Sequence, residues 1–209
     1  MKLRPEELQA KGYIQLDVMD HKDIVPFVRK YIRKRTLSSI CYYSSILVSF
    51  AVLAFFCVKF HLSGSVSFHK SLSRVSIGIF ISFLLIPIHE LIHAAVYKLV
   101  GAEKTSFDMN LKKFYFLAIA DKFVANKKEF QVIALAPFLF ISITAIVIFF
   151  FSTDAWKISI LSLVAIHATF CSGDFALLSY FEFHKDKTIV TYDDQENKIS
   201  FFYMFSSGK

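Results

Sequence analysis

The chain has 209 residues, 55% of them hydrophobic, with 25 Phe and a mean hydropathy of +0.50. This is more apolar than one soluble core of that length, so composition excludes an ordinary water-soluble domain and points to a bilayer. The net charge of +7 calls for no nucleic acid, because the basic residues gather beside apolar runs, where they read as a collar facing anionic lipid.

Residues 1–36 are polar and basic, ending in Arg29, Lys30, Arg33, Lys34 and Arg35, and carry no secretory-signal pattern. The first apolar run, Leu37 to Val58, holds no charged residue over 22 positions, enough for a helix to cross about 30 Å of hydrocarbon. A second run opens at Val75, passes Pro87 and ends near Gly101. Pro87 predicts a kink there. The middle loop, Ala102 to Lys128, is too apolar for a linker. Phe107, Leu111, Phe114, Tyr115, Phe116, Leu117, Ala118 and Ile119 surround Lys112 and Lys113. It reads as a short interfacial element, either a hairpin whose edge pairs with an extended substrate or an amphipathic anchor. Asn110 in this loop is a candidate substrate contact.

The third run is Val132 to Phe151, and the fourth, Ile158 to Tyr180, is interrupted by His167 and Asp174 alone. After Lys185, Thr188 to Tyr192 and Ile199 to Phe205 flank Asp193 to Asn197 and read as a small β-hairpin. The expected fold is therefore an all-α membrane protein with four transmembrane helices, the interfacial element and that hairpin. Its parts are a cytoplasmic basic segment 1–36, a four-span domain 37–182 and a cytoplasmic tail 183–209.

Lys and Arg number nine before Thr36, three from Lys59 to Arg74, seven from Lys98 to Lys128, one at Lys157 and four from Lys185 onward. Alternating the segments puts twenty on one side and four on the other. The positive-inside rule then predicts a multi-pass protein of the cell membrane with both termini cytoplasmic.

At the end of the second run stands His89-Glu90-Leu91-Ile92-His93. On a helix, histidines four apart lie one turn apart along the axis and about 40° around it, so both imidazoles reach one ion. Shuffling this composition yields about 0.008 such matches by accident. One zinc ion suits nitrogen ligands and lowers the pKa of its water to about 7, while the carboxylate of Glu90 can carry the proton to a leaving amine. The competing readings are a structural metal and satisfied polar groups within a bundle.

Depth suggests a third ligand. Entering from outside near Val75, the second span places His89 about 21 Å and His93 about 27 Å along, and the fourth places Asp174 about 24 Å and His167 about 14 Å along. Asp174 is level with the histidines. An ionisable residue in a span faces a partner or a cavity, and its competing reading is a boundary residue bonded to a lysine. His167 reads as a substrate contact or as a neutral imidazole on a backbone carbonyl. Gly173 suits a close approach of helices or substrate. Cys41, Cys57 and Cys171 make no disulfide framework, and Cys171 reads as packing.

His89-Glu90-Leu91-Ile92-His93-Ala94-Ala95, with Cys171-Ser172-Gly173-Asp174 and Ile133-Ala134-Leu135-Ala136-Pro137, resembles the putative zincin peptidase family of small bacterial membrane proteins. That family is distantly similar to the site-2 intramembrane metalloproteases. The resemblance covers most of Val75 to Tyr180 and implies zinc on His89, His93 and Asp174, with Glu90 as general base. Site-2 proteases usually place their aspartate before a glycine, whereas here Gly173 precedes Asp174 and Phe175 follows.

The resulting expectation is a zinc metallopeptidase acting on a membrane-associated or transmembrane peptide. A non-catalytic metal-binding membrane protein (an immunity, regulatory or metal-handling factor) and a transporter with a relay through His167 and Asp174 are the alternatives.

Overall fold

The structure is a computed structural model that describes residues 2–110, 112 and 115–206. It is mostly helical, but it is not all-α. Seven helices, α1 (Ile24–Ile32), α2 (Leu37–Leu62), α3 (Phe68–Leu84), α4 (Ile86–Leu99), α5 (Lys127–Phe150), α6 (Asp154–Phe170) and α7 (Ser172–Phe183), accompany six strands among the described residues. The strands are β1 (Tyr13–Asp20), β2 (Thr105–Asn110), β3 (Tyr115–Ala120), β4 (Ala125–Asn126), β5 (Ile189–Asp194) and β6 (Ile199–Phe205).

Three helices are long and apolar enough to cross a membrane, Leu37–Leu62, Phe68–Leu99 and Lys127–Phe150, and the bent pair Asp154–Phe170 with Ser172–Phe183 raises the number to four. Two of these spans are broken. Phe68–Leu99 has a turn at Leu85, two residues before Pro87. Proline lacks the N–H for its own helical bond and crowds the preceding turn, which accounts for a break at this place. The fourth bends by 46° between α6 and α7, at Cys171.

The correction to an all-α fold comes from the ends of the chain. The expected tail hairpin is present as β5 and β6, paired from Ile189↔Met204 to Asp194↔Ile199. An isolated hairpin is marginal in water and leaves two open edges. Here β1 pairs antiparallel along β6 and β4 along β5, giving a four-stranded sheet in the order β1-β6-β5-β4. The turn between β5 and β6 is built by Asp194, whose carboxylate accepts from the Asn197 backbone N–H at 3.0 Å and its side-chain amide at 2.9 Å. Lys198 takes the left-handed conformation that this turn needs, at φ 55.

By internal contacts the chain divides into two compact units. One comprises Met1–Ser39, Glu90–Ala136 and Asp174–Lys209 and contains both sheets. Leu8, Val124, Val190 and Tyr203 form one of its cores. Phe27, Tyr180 and Phe202 pack together, with Phe27 and Phe202 stacked at 5.8 Å and Tyr180 tilted against Phe202 at 4.4 Å. Glu182 of α7 accepts from the backbone N–H of Ser38 at 3.0 Å and from its hydroxyl at 2.7 Å. An anionic group at the start of α2 satisfies otherwise orphaned donors.

The other unit comprises Ile40–His89 and Pro137–Gly173. Its core holds Leu53, Phe60, Val66, Ala155 and Ile158. Small residues let α3 and α6 approach closely, as expected of helices that lack a hydrophobic drive to associate in lipid. Gly78 lies against the Ser159 carbonyl, and the Ser162 hydroxyl donates to the Val75 carbonyl at 2.9 Å.

The middle loop forms the β2–β3 hairpin, in register from Thr105↔Ala120 to Asn110↔Tyr115. Leu111, Lys113 and Phe114, counted in that segment from the sequence, lie outside the described residues.

Candidate metal centre

The H-E-x-x-H motif occupies the first two turns of α4, just after the break at Leu85. The His89 N–H donates to the Leu85 carbonyl at 2.8 Å, so the helical ladder is intact through the motif. His89 and His93 therefore stand one turn apart on one helix face. Both are buried.

His93 is held at both ring nitrogens. Its Nδ1 lies 2.9 Å from the Ile133 carbonyl oxygen, and its Nε2 lies 3.1 Å from Asp174 Oδ1. A carbonyl can only accept, so Nδ1 carries the proton and, in the neutral ring, Nε2 presents its lone pair toward Asp174. A backbone carbonyl inside a helix is normally taken by the N–H four residues on. For Ile133 that residue is Pro137, inside α5, which has no N–H to give. The proline thus leaves a carbonyl that the imidazole uses.

Asp174 stands in the first turn of α7, where the positive end of the helix favours a carboxylate. Its presence there depends on the bend at Cys171, which starts a new helix instead of continuing α6. Two ligand atoms of a tetrahedral zinc ion with bonds of about 2.0–2.1 Å are about 3.3 Å apart. The 3.1 Å between His93 Nε2 and Asp174 Oδ1 fits such a pair. Mixed imidazole and carboxylate donors also suit zinc chemically.

Glu90 faces elsewhere on α4. Its Oε2 accepts the backbone N–H of Ala118 in β3 at 2.7 Å, which ties the carboxylate to the β2–β3 hairpin. This contact was not legible in the sequence. Asn110 is paired with Tyr115 at the far end of that hairpin, three residues and about 10 Å along the strand from the pair Phe107↔Ala118.

His167 departs from the depth argument made for a straight fourth span. Its Nε2 lies 3.1 Å from His89 Nδ1, both rings buried, an imidazole partner that neither reading of the sequence named. The Cys171 sulfur lies 4.0 Å from the same Nε2. A Cβ at Gly173 would meet nothing within 4 Å, so helix packing is not what a glycine serves there.

Outside the spans a second polar cluster, buried at His21, Asp108 and Ser200, joins the hairpin to the sheet. Asp108 of β2 accepts from Lys198 Nζ at 2.7 Å and lies 3.3 Å from His21 Nδ1, whose Nε2 lies 3.3 Å from the Ser200 hydroxyl. Ser200 in turn donates to Asp193 at 2.6 Å. Burial alone pushes the Asp108 carboxyl up, but the Lys198 ammonium and His21 outweigh it and hold the group below the usual carboxylate range.

No curated protein and no solved structure matches the chain. The family described as putative zincin peptidase matches residues 82–189, a segment that carries His89, Glu90, His93, Ile133, Pro137, His167 and Asp174. With more than half of its length matched, this chain belongs to the putative zincin peptidase family.

Proposed function

We propose that the protein is a zinc-dependent peptidase working within or beside the membrane, with one zinc ion on His89, His93 and Asp174 and with Glu90 as general base. Support comes chiefly from His93, whose Nδ1 is fixed by the Ile133 carbonyl while its Nε2 faces Asp174 Oδ1 at 3.1 Å. A hydrogen bond on the far side of a ligating imidazole sets its tautomer and orientation, as metal ligands require.

When bound, zinc supplies Lewis acidity and a water of lowered pKa. The chain's own residues do the remaining work. His89 and His93 present two imidazoles from one rigid helix, and Asp174 adds a carboxylate that offsets the ion's charge. The Ala118 N–H holds Glu90 in one rotamer through Oε2, so that the carboxylate takes a proton from water and returns it to the leaving amine. Helical substrate hides its carbonyls, so the peptide must be unwound or extended where it meets these groups. The asymmetry of Lys and Arg supports an orientation with both termini and the hairpin on the cytoplasmic side of the cell membrane.

The Glu90–Ala118 bond favours a second reading as well, in which Glu90 is a strut for the hairpin and the protein binds metal without hydrolysing anything. Glu90→Gln separates the two. In detergent-purified protein the peptidase reading expects Glu90→Gln to keep its zinc and lose cleavage of membrane-peptide libraries, with Asp174→Ala losing zinc. Cleavage that survives Glu90→Gln would overturn the role of the glutamate.

A further inference from the structure

We propose that His89, His167 and Cys171 form an alternative metal position, a set of two imidazoles and one thiolate suited to zinc or another thiophilic divalent ion. All three side chains are buried, and their donor atoms lie within 4.8 Å of one another. Tetrahedral zinc with bonds of about 2.0–2.1 Å to nitrogen and 2.3 Å to sulfur separates N from N by about 3.3 Å and N from S by about 3.6 Å. The observed separations are 3.1 Å from His89 Nδ1 to His167 Nε2 and 4.0 Å from His167 Nε2 to Cys171 Sγ. Shifts of a few tenths of an ångström bring these two separations to the tetrahedral values, and the remaining pair, His89 with Cys171, lies within 4.8 Å.

Local structure explains why the three meet. His167 and Cys171 are four residues apart at the C-terminal end of α6, so they share a face as the two motif histidines do. The thiol now donates to the His167 carbonyl at 3.3 Å, a bond that ends when sulfur turns to a metal. Binding breaks the S–H bond, forms a sulfur–metal bond and releases the proton to solvent, with no redox change. Water completes four-coordination.

A neutral imidazole has one lone-pair nitrogen, so His89 serves one ion at a time. Loading the thiolate set withholds His89 from the H-E-x-x-H set, and an ion held there keeps the peptidase off. This competition rests on the peptidase reading above; the donor set itself does not.

The test is cobalt titration of the full-length, detergent-purified, chelator-stripped protein under reducing conditions, comparing wild type, Asp174→Ala and Asp174→Ala with Cys171→Ser. Losing Asp174 weakens only the peptidase set. Asp174→Ala is therefore expected to bind one cobalt per chain with a thiolate-to-metal charge-transfer band, and the added Cys171→Ser to abolish that band. Zinc X-ray absorption of Asp174→Ala, which leaves Cys171 untouched, should show one sulfur at about 2.3 Å. Cobalt bound by Asp174→Ala without the band, or no sulfur around its zinc, overturns the proposal and leaves His167 as a hydrogen-bonding support for His89. Wild type that binds while Asp174→Ala does not also overturns it, yet upholds the peptidase ligands. A band in Asp174→Ala with an unchanged band and affinity in wild type upholds the thiolate set and removes Asp174 from the peptidase set.

Discussion

The Ile133 carbonyl accepts from His93 Nδ1 at 2.9 Å because Pro137, four residues on in the same helix, cannot. A proline that costs a helix one hydrogen bond here supplies an imidazole with its orienting partner. Pro137→Ala restores the competing N–H. We expect the helix to gain stability, because a proline inside a helix costs roughly 3 kcal/mol, while zinc affinity falls about 10- to 100-fold, the usual loss when a ligand's supporting bond is removed. Thermal unfolding in detergent and competition with a zinc chelator measure the two effects. Affinity that is unchanged in a stabilised variant would sink the idea.

Glu90 and Ala118 yield a complementary prediction. The Ala118 N–H points to Glu90 and not into the β2–β3 pair, so proline at that position removes the donor without breaking the ladder between the strands. Ala118→Pro should leave zinc content unchanged and lower turnover by about 100-fold, the lower end of what a positioned general base contributes. Equal turnover with zinc retained would show that the hairpin does not position Glu90.

The candidate residues His89, Glu90 and His93 were legible because the chemistry they suggest is tied to a spacing that survives any detail of packing. Asp174 was legible because a carboxylate in an apolar run is costly. What depth arithmetic could not reach was the bend at Cys171 and the break at Leu85, since both change where a side chain falls without changing composition. His167 was placed about 7 Å short of His89 on straight spans; α6 begins earlier, at Asp154, and the break at Leu85 precedes His89, and the two rings meet at 3.1 Å. The carbonyl of Ile133 and the N–H of Ala118 carry no side-chain signal at all. Pro137 was the readable trace of the first, four residues beyond it. The sheet was missed at β1, although Ile14, Leu16 and Val18 alternate over its eight residues, because its partner β6 lies more than 170 residues away.

The Asp108 cluster makes stability depend on pH in a stated direction. Its carboxyl lies lower when folded than its unfolded value of about 3.9, so its contribution is present above about pH 4 and is lost as pH falls through the folded value. Asp193, which burial pushes up, works in the opposite sense: acidification relieves it. A wild-type acid curve mixes the two, and a difference between proteins separates them. Asp108→Asn should cost about 1.5–3 kcal/mol at pH 7, the range for hydrogen bonds to charged groups, and progressively less as pH falls through the folded value. A cost that does not change with pH, read by denaturant unfolding, would remove the charge on Asp108 from the account.

Gly78 tests whether close helix contact or only lipid exposure holds α3 to α6. A Cβ built there collides with the Ser159 carbonyl oxygen and stands 2.6 Å from the Ser162 Cβ and 3.0 Å from the Leu163 nitrogen, so backbone must move and no flexible side chain can yield. Separation of the helices also strains the bond from Ser162 to the Val75 carbonyl. Overpacking of this kind costs about 1–3 kcal/mol for a methyl group and more for a larger one. Alanine and leucine at position 78 should therefore lower the unfolding temperature in that order, whereas Gly64→Ala adds a Cβ that meets nothing within 4 Å and carries only the cost of its φ of +71. Since α6 carries His167, the same two Gly78 variants should weaken metal binding by the thiolate set in proportion to their loss of stability. Equal stability of Gly78→Leu and wild type would mean that the two helices are not packed as closely as their small residues allow.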